Sequence, residues 1–328
     1  MRILVTGGAG YIGSVVTRQL IAAGDQVVVY DSLVRGHRRA VDPAATFIEG
    51  DVADRPHVER VLADHGVDAV IHFAALIEAG ESMKQPETYF RNITAGSLSL
   101  LEAMLAQGVN RIVFSSTAAV YGTPENLPIR ENAPLRPTNA YGAAKLMVEN
   151  MLGWFHQIHG LRYAALRYFN AAGAAPPLGE DHQPESHLIP LAIQAVLGQR
   201  PRLLLFGTDY PTRDGTCIRD YIHVGDLASA HLLALRALDM GSGQLIYNLG
   251  SERGYTNLEV IEAVGRVAGK PVPYEAAPRR RGDPDALVAS AERIRTELGW
   301  RPQYTDIEAI IRTAWDWRAQ HPDGYGDC

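Results

Sequence analysis

Cysteine is scarce in this chain of 328 residues: only Cys217 and Cys328 occur. Two thiols in so long a chain make no disulfide framework, which points to a reducing compartment. Neither belongs to a metal-ligand spacing, and the 11 histidines are scattered. His156 and His159 lack the Glu and the spacing of a zinc helix, so no metal is expected. Positive charge is short as well: 31 Lys and Arg stand against 37 Asp and Glu, a net charge of -6. That leaves no basic footprint for nucleic acid. The one basic cluster, Pro278-Arg279-Arg280-Arg281, suits a solvated face or a phosphate. No apolar run nears the roughly 18 residues needed to cross a bilayer. The first strand follows directly on Met1-Arg2 with no leader before it, and the expectation is a cytoplasmic protein.

What is present is the composition of a globular protein, 46% hydrophobic and 21% charged, long enough for one large domain or two ordinary ones. Short apolar runs lie at Arg2–Val5, Gln26–Tyr30, Ala45–Ile48, Ala69–Phe73, Arg111–Phe114 and Arg162–Arg167. Amphipathic segments at about 12–24, 54–65 and 86–107 separate them. Strands alternating with helices predict βαβ units, and right-handed crossovers then require a doubly wound parallel sheet. After Asn170 the texture changes, and 171–186 reads as an ordered loop or linker. Beyond it the pattern predicts helices at 187–199, Asp226 to Leu238, 290–298 and 305–319, with strands at 203–206 and Leu245–Leu249. Thr256 and Glu259 have the spacing of a capping box, opening a helix that runs to about Ala268. The expected class is α/β: a Rossmann-type doubly wound sheet over 1–170, with later returns at about 207–250, and a smaller mixed α/β C-terminal substrate domain over 171–328.

Gly7, Gly10 and Gly13 sit between the first strand and the first helix, where glycine lets backbone approach a pyrophosphate and the helix N-terminus offers free N–H groups. Asp31 ends the second strand 24 residues past Gly7 (31 − 7). A carboxylate there suits ribose hydroxyls and repels a 2′-phosphate, which favours NAD over NADP. Asp51, after the third strand, reads either as a contact to the adenine edge or as an ordinary turn residue.

Tyr141 and Lys145 are one helical step apart, on one face of a predicted helix. An ammonium at ~6 Å in an effective dielectric of ~20 contributes on the order of 3 kcal/mol, about two pKa units for the phenol. A phenolate near neutral pH is therefore expected, a general base for a sugar or alcohol hydroxyl. Ser115-Ser116-Thr117 ends strand five, on the ligand side of such a sheet, and can hold a substrate oxygen beside that phenol.

With these residues the chain resembles the extended short-chain dehydrogenase/reductases, and among them the UDP-hexose 4-epimerases. The resemblance covers nearly the whole chain. It includes TGGAGYIG at 6–13, GDV at 50–52, HFAA at 72–75, GES at 80–82, FSSTAAVYG at 114–122 and YGAAK at 141–145. It continues through LRYFNAAGA at 166–174, FGTDYPTRDGTCIRDYIHV at 206–224 and RRRGDPDALVAS at 279–290. It implies that Tyr141 takes and returns the 4-hydroxyl proton around a 4-keto sugar. Thr117 would bond the 4-oxygen, and Lys145 would hold the nicotinamide ribose. It also implies NAD contacts from Gly7, Gly10, Tyr11, Ile12, Gly13, Asp31, Asp51, Val52, Phe73, Ala74, Asn92 and Ser115. Sugar-nucleotide contacts follow from Asn170, His187, Leu188, Phe206, Arg219, Arg280, Asp283 and Leu287. The partners implied are a UDP-sugar and a second copy of the chain. That copy would pack through the helix at 86–107 and the one carrying Tyr141, with Leu98, Leu101, Met147 and Met151 supplying apolar contact.

Three positions depart from the pattern. Ile77 stands where some members carry a ribose-binding lysine. His187 replaces an asparagine near the sugar. Leu287 replaces a bulky tyrosine, which leaves room for an N-acetyl group. Pentose and uronate 4-epimerases fit the same motifs. Ala118-Ala119 stand where 4,6-dehydratases need an acid–base pair, so dehydration is not expected. A non-catalytic NAD sensor would have no use for Tyr141, Lys145 and Thr117 together.

Overall fold

The computed structural model describes residues 1–280 and 282–326. Arg281 of the basic run and Cys328 lie outside them. In chain order the first half contains β1 (Arg2–Thr6), α1 (Tyr11–Ala22), β2 (Gln26–Asp31), β3 (Thr46–Glu49), α2 (Arg55–Asp64) and β4 (Ala69–His72). It continues with α3 (Ala79–Ser82), α4 (Pro86–Tyr89), a π-helical segment (Phe90–Ala95), α5 (Gly96–Ala106), β5 (Arg111–Thr117), α6 (Ala140–His159) and β6 (Arg162–Tyr168). Then come β7 (Asn170–Ala172), α7 (Leu188–Val196), β8 (Leu203–Phe206), β9 (Ile218–His223), α8 (Val224–Asp239) and β10 (Gln244–Leu249). The chain closes through β11 (Gly254–Thr256), α9 (Asn257–Ala268), β12 (Tyr274–Ala277), β13 (Ala286–Leu287), α10 (Glu292–Leu298) and α11 (Ile307–Gln320).

The main sheet has seven parallel strands in the order β10-β6-β5-β4-β1-β2-β3. Ile3, Leu4 and Val5 are wholly buried on both faces of β1, as a central parallel strand requires. One face packs on α1 and α8, with Val15, Val16, Leu20, Leu227, Leu235 and Leu238 in one core cluster. The other packs on α2, α5 and α6 through Val58, Leu62, Leu100, Met104, Val148 and Leu152. Strand order reverses between β1 and β4, so a crevice opens above the carboxyl ends of those strands. A third cluster, under α7, α9 and α11, supports the remaining elements. These include a small sheet in which β9 pairs with β7, β11 and β13, and the pair β8–β12.

All seven strands of the main sheet were readable as apolar runs, β4 one residue shorter than expected. The capping box is present in full: Thr256 Oγ1 accepts from the Glu259 N–H at 3.1 Å while the Glu259 carboxylate accepts from the Thr256 N–H at 2.9 Å. The predicted helix over 86–107 runs from Pro86 to Ala106, with a π-helical stretch at Phe90–Ala95 inside it. Asn92 lies in that stretch, the kind of helical irregularity found at functional sites, and its Oδ1 accepts from the Leu76 N–H at 2.9 Å. Segment 171–186 is no linker. After β7 it is a strap bonded on both sides: Tyr11 donates to the Gly173 carbonyl at 2.6 Å, and Trp317 Nε1 donates to the Pro177 carbonyl at 2.9 Å. Among the described residues no helix is long and apolar enough to cross a membrane. Cys217 is a buried free thiol.

Candidate active site

The glycine turn is shaped by close approach rather than by flexibility. A Cβ on Gly7, at φ +73, would stand 2.5 Å from the Ala74 nitrogen, and one on Gly13 would stand 2.2 Å from the Gly7 carbonyl oxygen. The turn thus locks β1, α1 and the end of β4 together. No side chain caps α1 at Gly10, so its first N–H groups stay available to an anion. Asp31 is buried, and its two oxygens accept from the Ala9 and Leu33 N–H groups, both at 2.9 Å. Burial pushes its carboxyl pKa up, and those two bonds oppose the shift. Ile12 and Phe73 are partly buried against the core on this side. Asp51 is exposed and accepts from the Ala53 N–H at 2.9 Å, the ordinary turn role. The Val52 side chain is buried core beside Gly96.

The reactive groups meet where β5 and β6 end and α6 begins. Asn139 caps α6, its Oδ1 accepting from the Gly142 N–H at 2.8 Å, and Ser82 Oγ accepts from the Tyr141 N–H at 3.1 Å. Two adjacent backbone N–H groups of the first turn of α6 are therefore pinned at the tyrosine. Lys145 is buried; its Nζ donates to the Ser115 carbonyl at 2.8 Å and lies 6.0 Å from the centre of the Tyr141 ring. The Ser115 hydroxyl bonds the Tyr168 hydroxyl. Thr117 Oγ1 accepts from the Ala119 N–H at 3.1 Å and stands near enough to the Tyr141 phenol to favour its ionised form. Beneath this group, Glu149 and Arg167 form a buried ion pair that also takes in Ser116 and Tyr121.

The distance matches the one assumed from sequence, but the electrostatics do not. Burial pushes the Tyr141 phenol up to about 12, with Thr117 drawing it down and the Glu78 carboxylate adding to the rise. Burial also pulls the Lys145 ammonium down to about 7. A half-neutral lysine cannot supply the expected field, so the chain alone holds a neutral phenol at neutral pH. Sequence carries no term for desolvation, and desolvation dominates here.

The third group of predicted residues lies on the small sheet and its neighbours. Asn170 on β7 donates from Nδ2 to the Asp220 carbonyl at 3.2 Å. Arg219 on β9 is register partner to Leu287 on β13 and pairs with Asp283. Arg280 is exposed and lies 4.2 Å over the Phe206 ring. Thr138, shortly before Tyr141, donates to the Gly282 carbonyl at 3.2 Å, which joins Gly282 to the entrance of α6. His187 ends the strap, and Leu188 starts α7. Ile77 is partly buried and makes only a backbone bond, its N–H to Glu78 Oε2 at 3.2 Å. Tyr168, Glu78, Ser82 and the Glu149–Arg167 pair escaped the sequence reading. Glu149 stands one helical step beyond Lys145, the one signal that could have found it.

Comparison with known proteins gives this geometry a setting. The model of the NAD dependent epimerase/dehydratase family matches residues 3–250, and the chain belongs to that family. It is similar to the UDP-glucose 4-epimerase of Streptococcus mutans, 53% identical over 331 residues that cover 100% of this chain and 99% of the relative. A crystal structure of UDP-glucose 4-epimerase from Brucella ovis in complex with NAD superposes with a TM-score of 0.93 at 45% identity, covering 96% of this chain and 97% of that one. The enzyme from Bifidobacterium longum in complex with NAD+ and UDP gives 0.94 at 38%, covering 99% and 100%.

The residues present fit NAD. The uncapped N-terminus of α1, the carboxylate at Asp31 and the cradle that a Cβ would fill are the features a dinucleotide requires. Buried Lys145 uses one donor on the Ser115 carbonyl and in either protonation state keeps at least one more for a hydroxyl of the cofactor.

Proposed function

We propose that this chain inverts C4 of UDP-hexoses, interconverting UDP-glucose and UDP-galactose with NAD kept bound. The observation that carries this reading is the Thr117–Tyr141–Lys145–Ser115 constellation at the carboxyl ends of β5 and β6. Bound NAD supplies a cationic ring that favours the phenolate and a redox partner that accepts and returns the C4 hydrogen. Tyr141 Oη takes the 4-hydroxyl proton and, once the 4-keto sugar has turned its other face to the cofactor, returns it to the 4-oxygen. Thr117 Oγ1 holds the sugar oxygen at that phenol, and Lys145 Nζ holds the cofactor ribose. Ser115, Gly7, Gly10, Tyr11, Ile12, Gly13, Asp31, Phe73, Ala74 and Asn92 line the NAD side; Asp51 and Val52 contribute through backbone.

Asn170, His187, Leu188, Phe206, Arg219, Arg280, Asp283 and Leu287 line the sugar-nucleotide side, with two guanidinium groups for the diphosphate. The part before Asn170, joined by β10, serves as the NAD domain and the rest mainly as the UDP-sugar domain. Leu287, a smaller side chain than tyrosine beside Arg219, leaves space at the sugar 2-position, so N-acetylated UDP-hexosamines turn over too.

The working compartment is the cytoplasm. The assembly is a homodimer through α5 and α6, where Leu98, Met147, Trp154 and Ile158 stay exposed. Leu101 does not belong to that face: it is buried in the core, and Met151 packs against the same core. Ile158→Asp should give a monomer by light scattering; an unchanged mass removes the α5–α6 dimer.

The decisive test is to incubate the purified protein with UDP-glucose, without added NAD, and to resolve the epimers. UDP-galactose formation is expected; its absence in protein shown to hold NAD would overturn the reading. UDP-GlcNAc run in parallel decides the role of Leu287.

A further inference from the structure

We propose that Glu180, His182, Glu185 and His187 form a zinc site that pins the strap between β7 and α7. Each offers one ligand atom, and the four atoms lie within 4.8 Å of one another. His187 Nδ1 is 2.8 Å from Glu180 Oε1 and 3.1 Å from Glu185 Oε1. His182 Nδ1 is 3.2 Å from Glu180 Oε1 and 4.0 Å from Glu185 Oε2. Zinc holds nitrogen and oxygen at ~2.0–2.2 Å, which places neighbouring ligands of a tetrahedron about 3.4 Å apart. The four separations straddle that value, so small side-chain shifts admit an ion.

Charge and orientation support the assignment. Both carboxylates are only 7% exposed, and among the described residues their charge partners are His182 and His187 rather than any Arg or Lys. A doubly charged cation with two carboxylates and two neutral imidazoles makes a neutral centre, the cheapest to bury. Glu185 Oε1 already accepts from the Ser186 and His187 N–H groups at 2.7 and 2.8 Å. Such outer bonds fix the orientation of a ligand carboxylate. Two imidazole donors select zinc over magnesium or calcium.

Four protein ligands leave no open position, so the site is structural. It sits beside the glycine turn, with the Tyr11 ring edge-on to His182 at 6.1 Å. Its effect is to hold His187 at the start of α7. The sequence step Glu-x-His-x-x-Glu-x-His belongs to a loop rather than a helix, which is why a search for zinc helices missed it. The proposal does not depend on the epimerase reading.

The test is zinc stoichiometry and affinity on the full chain, loaded with zinc and then desalted. About one zinc per chain is expected. His182→Ala and Glu180→Gln, each shown folded by circular dichroism, should bind about tenfold or more weakly against a chromogenic chelator. A content far below one, or equal affinity in wild type and both variants, overturns the site. Cobalt substitution of the wild type needs no variant: strong visible bands of a four-coordinate ion support the proposal, and a pale octahedral spectrum refutes it.

Discussion

The two ends of the cleft are built by different means. At the NAD end the surface is backbone: a turn with no room for a Cβ at Gly7 or Gly13, free N–H groups at α1, and Asp31 held by two main-chain donors. At the end proposed for the sugar nucleotide it is long side chains: Arg219 of β9 against Asp283, and Arg280 over Phe206. A backbone site is set once the chain folds and cannot adapt. A side-chain site keeps its charges paired with one another until an anion competes for them. The first suits a cofactor retained through many cycles. The second suits a ligand that must enter, turn over and leave. Tyr141 and Lys145 stand where the two ends meet.

The largest expected effect lies at that junction. Tyr141→Phe should lower kcat by about 10²–10⁴ while NAD content stays unchanged. Activity within a few-fold of wild type would move the proton role elsewhere. At the side-chain end, Arg219→Ala removes one member of a mostly buried ion pair, at a cost of about 2–5 kcal/mol in sugar-nucleotide binding. The change should fall on KM more than on kcat; the reverse pattern would make Arg219 part of the chemistry.

Lys145→Met separates stability from function. The Lys145 pKa is lowered on folding, from 10.5 to about 7, so the unfolded chain binds the extra proton between those values. Stability of the cofactor-free wild type therefore rises with pH from about 7 toward 10, and the penalty is fully present below 7. The Met variant should lose that slope, gain about 2–4 kcal/mol at neutral pH and lose turnover. Urea midpoints across this range check it, and parallel curves would refute the assignment of the slope to Lys145.

Gly13→Ala tests the rigidity of the backbone end. Its Cβ meets the Gly7 carbonyl oxygen, so the fold should lose about 1–3 kcal/mol and the purified protein its NAD. Full cofactor content in this variant would show that the turn adapts, and the contrast between the ends would fail. Smallest is Arg280→Ala, where an exposed contact with Phe206 is worth about 0.5–1 kcal/mol. A rise in KM of a few-fold is expected, and a change as large as that of Arg219→Ala would make Arg280 the main diphosphate anchor.

The contrast also explains what could be read in advance. The strands of the main sheet are continuous apolar runs, and the α9 cap is local chemistry between Thr256 and Glu259, so both are legible in the chain. β7, β9 and β13 are not. They are two to six residues long and exist only because distant segments pair, as Leu287 does with Arg219. The mutual pairing of Arg219 and Asp283 was hidden for the same reason, and so was the π stretch inside the 86–107 helix. Leu98 and Leu101 look alike in sequence, yet one is exposed and the other is core.

By itself the sequence determined the doubly wound sheet, the position of the glycine turn and the one-step spacing of Tyr141 and Lys145. Each follows from local periodicity or from a steric demand between near neighbours. Only the tertiary structure decided how acidic the phenol is, where the Asp283 charge goes, and that Glu180, His182, Glu185 and His187 converge. Those outcomes depend on burial and on contacts across the fold, and burial is the property that a string of residues does not carry.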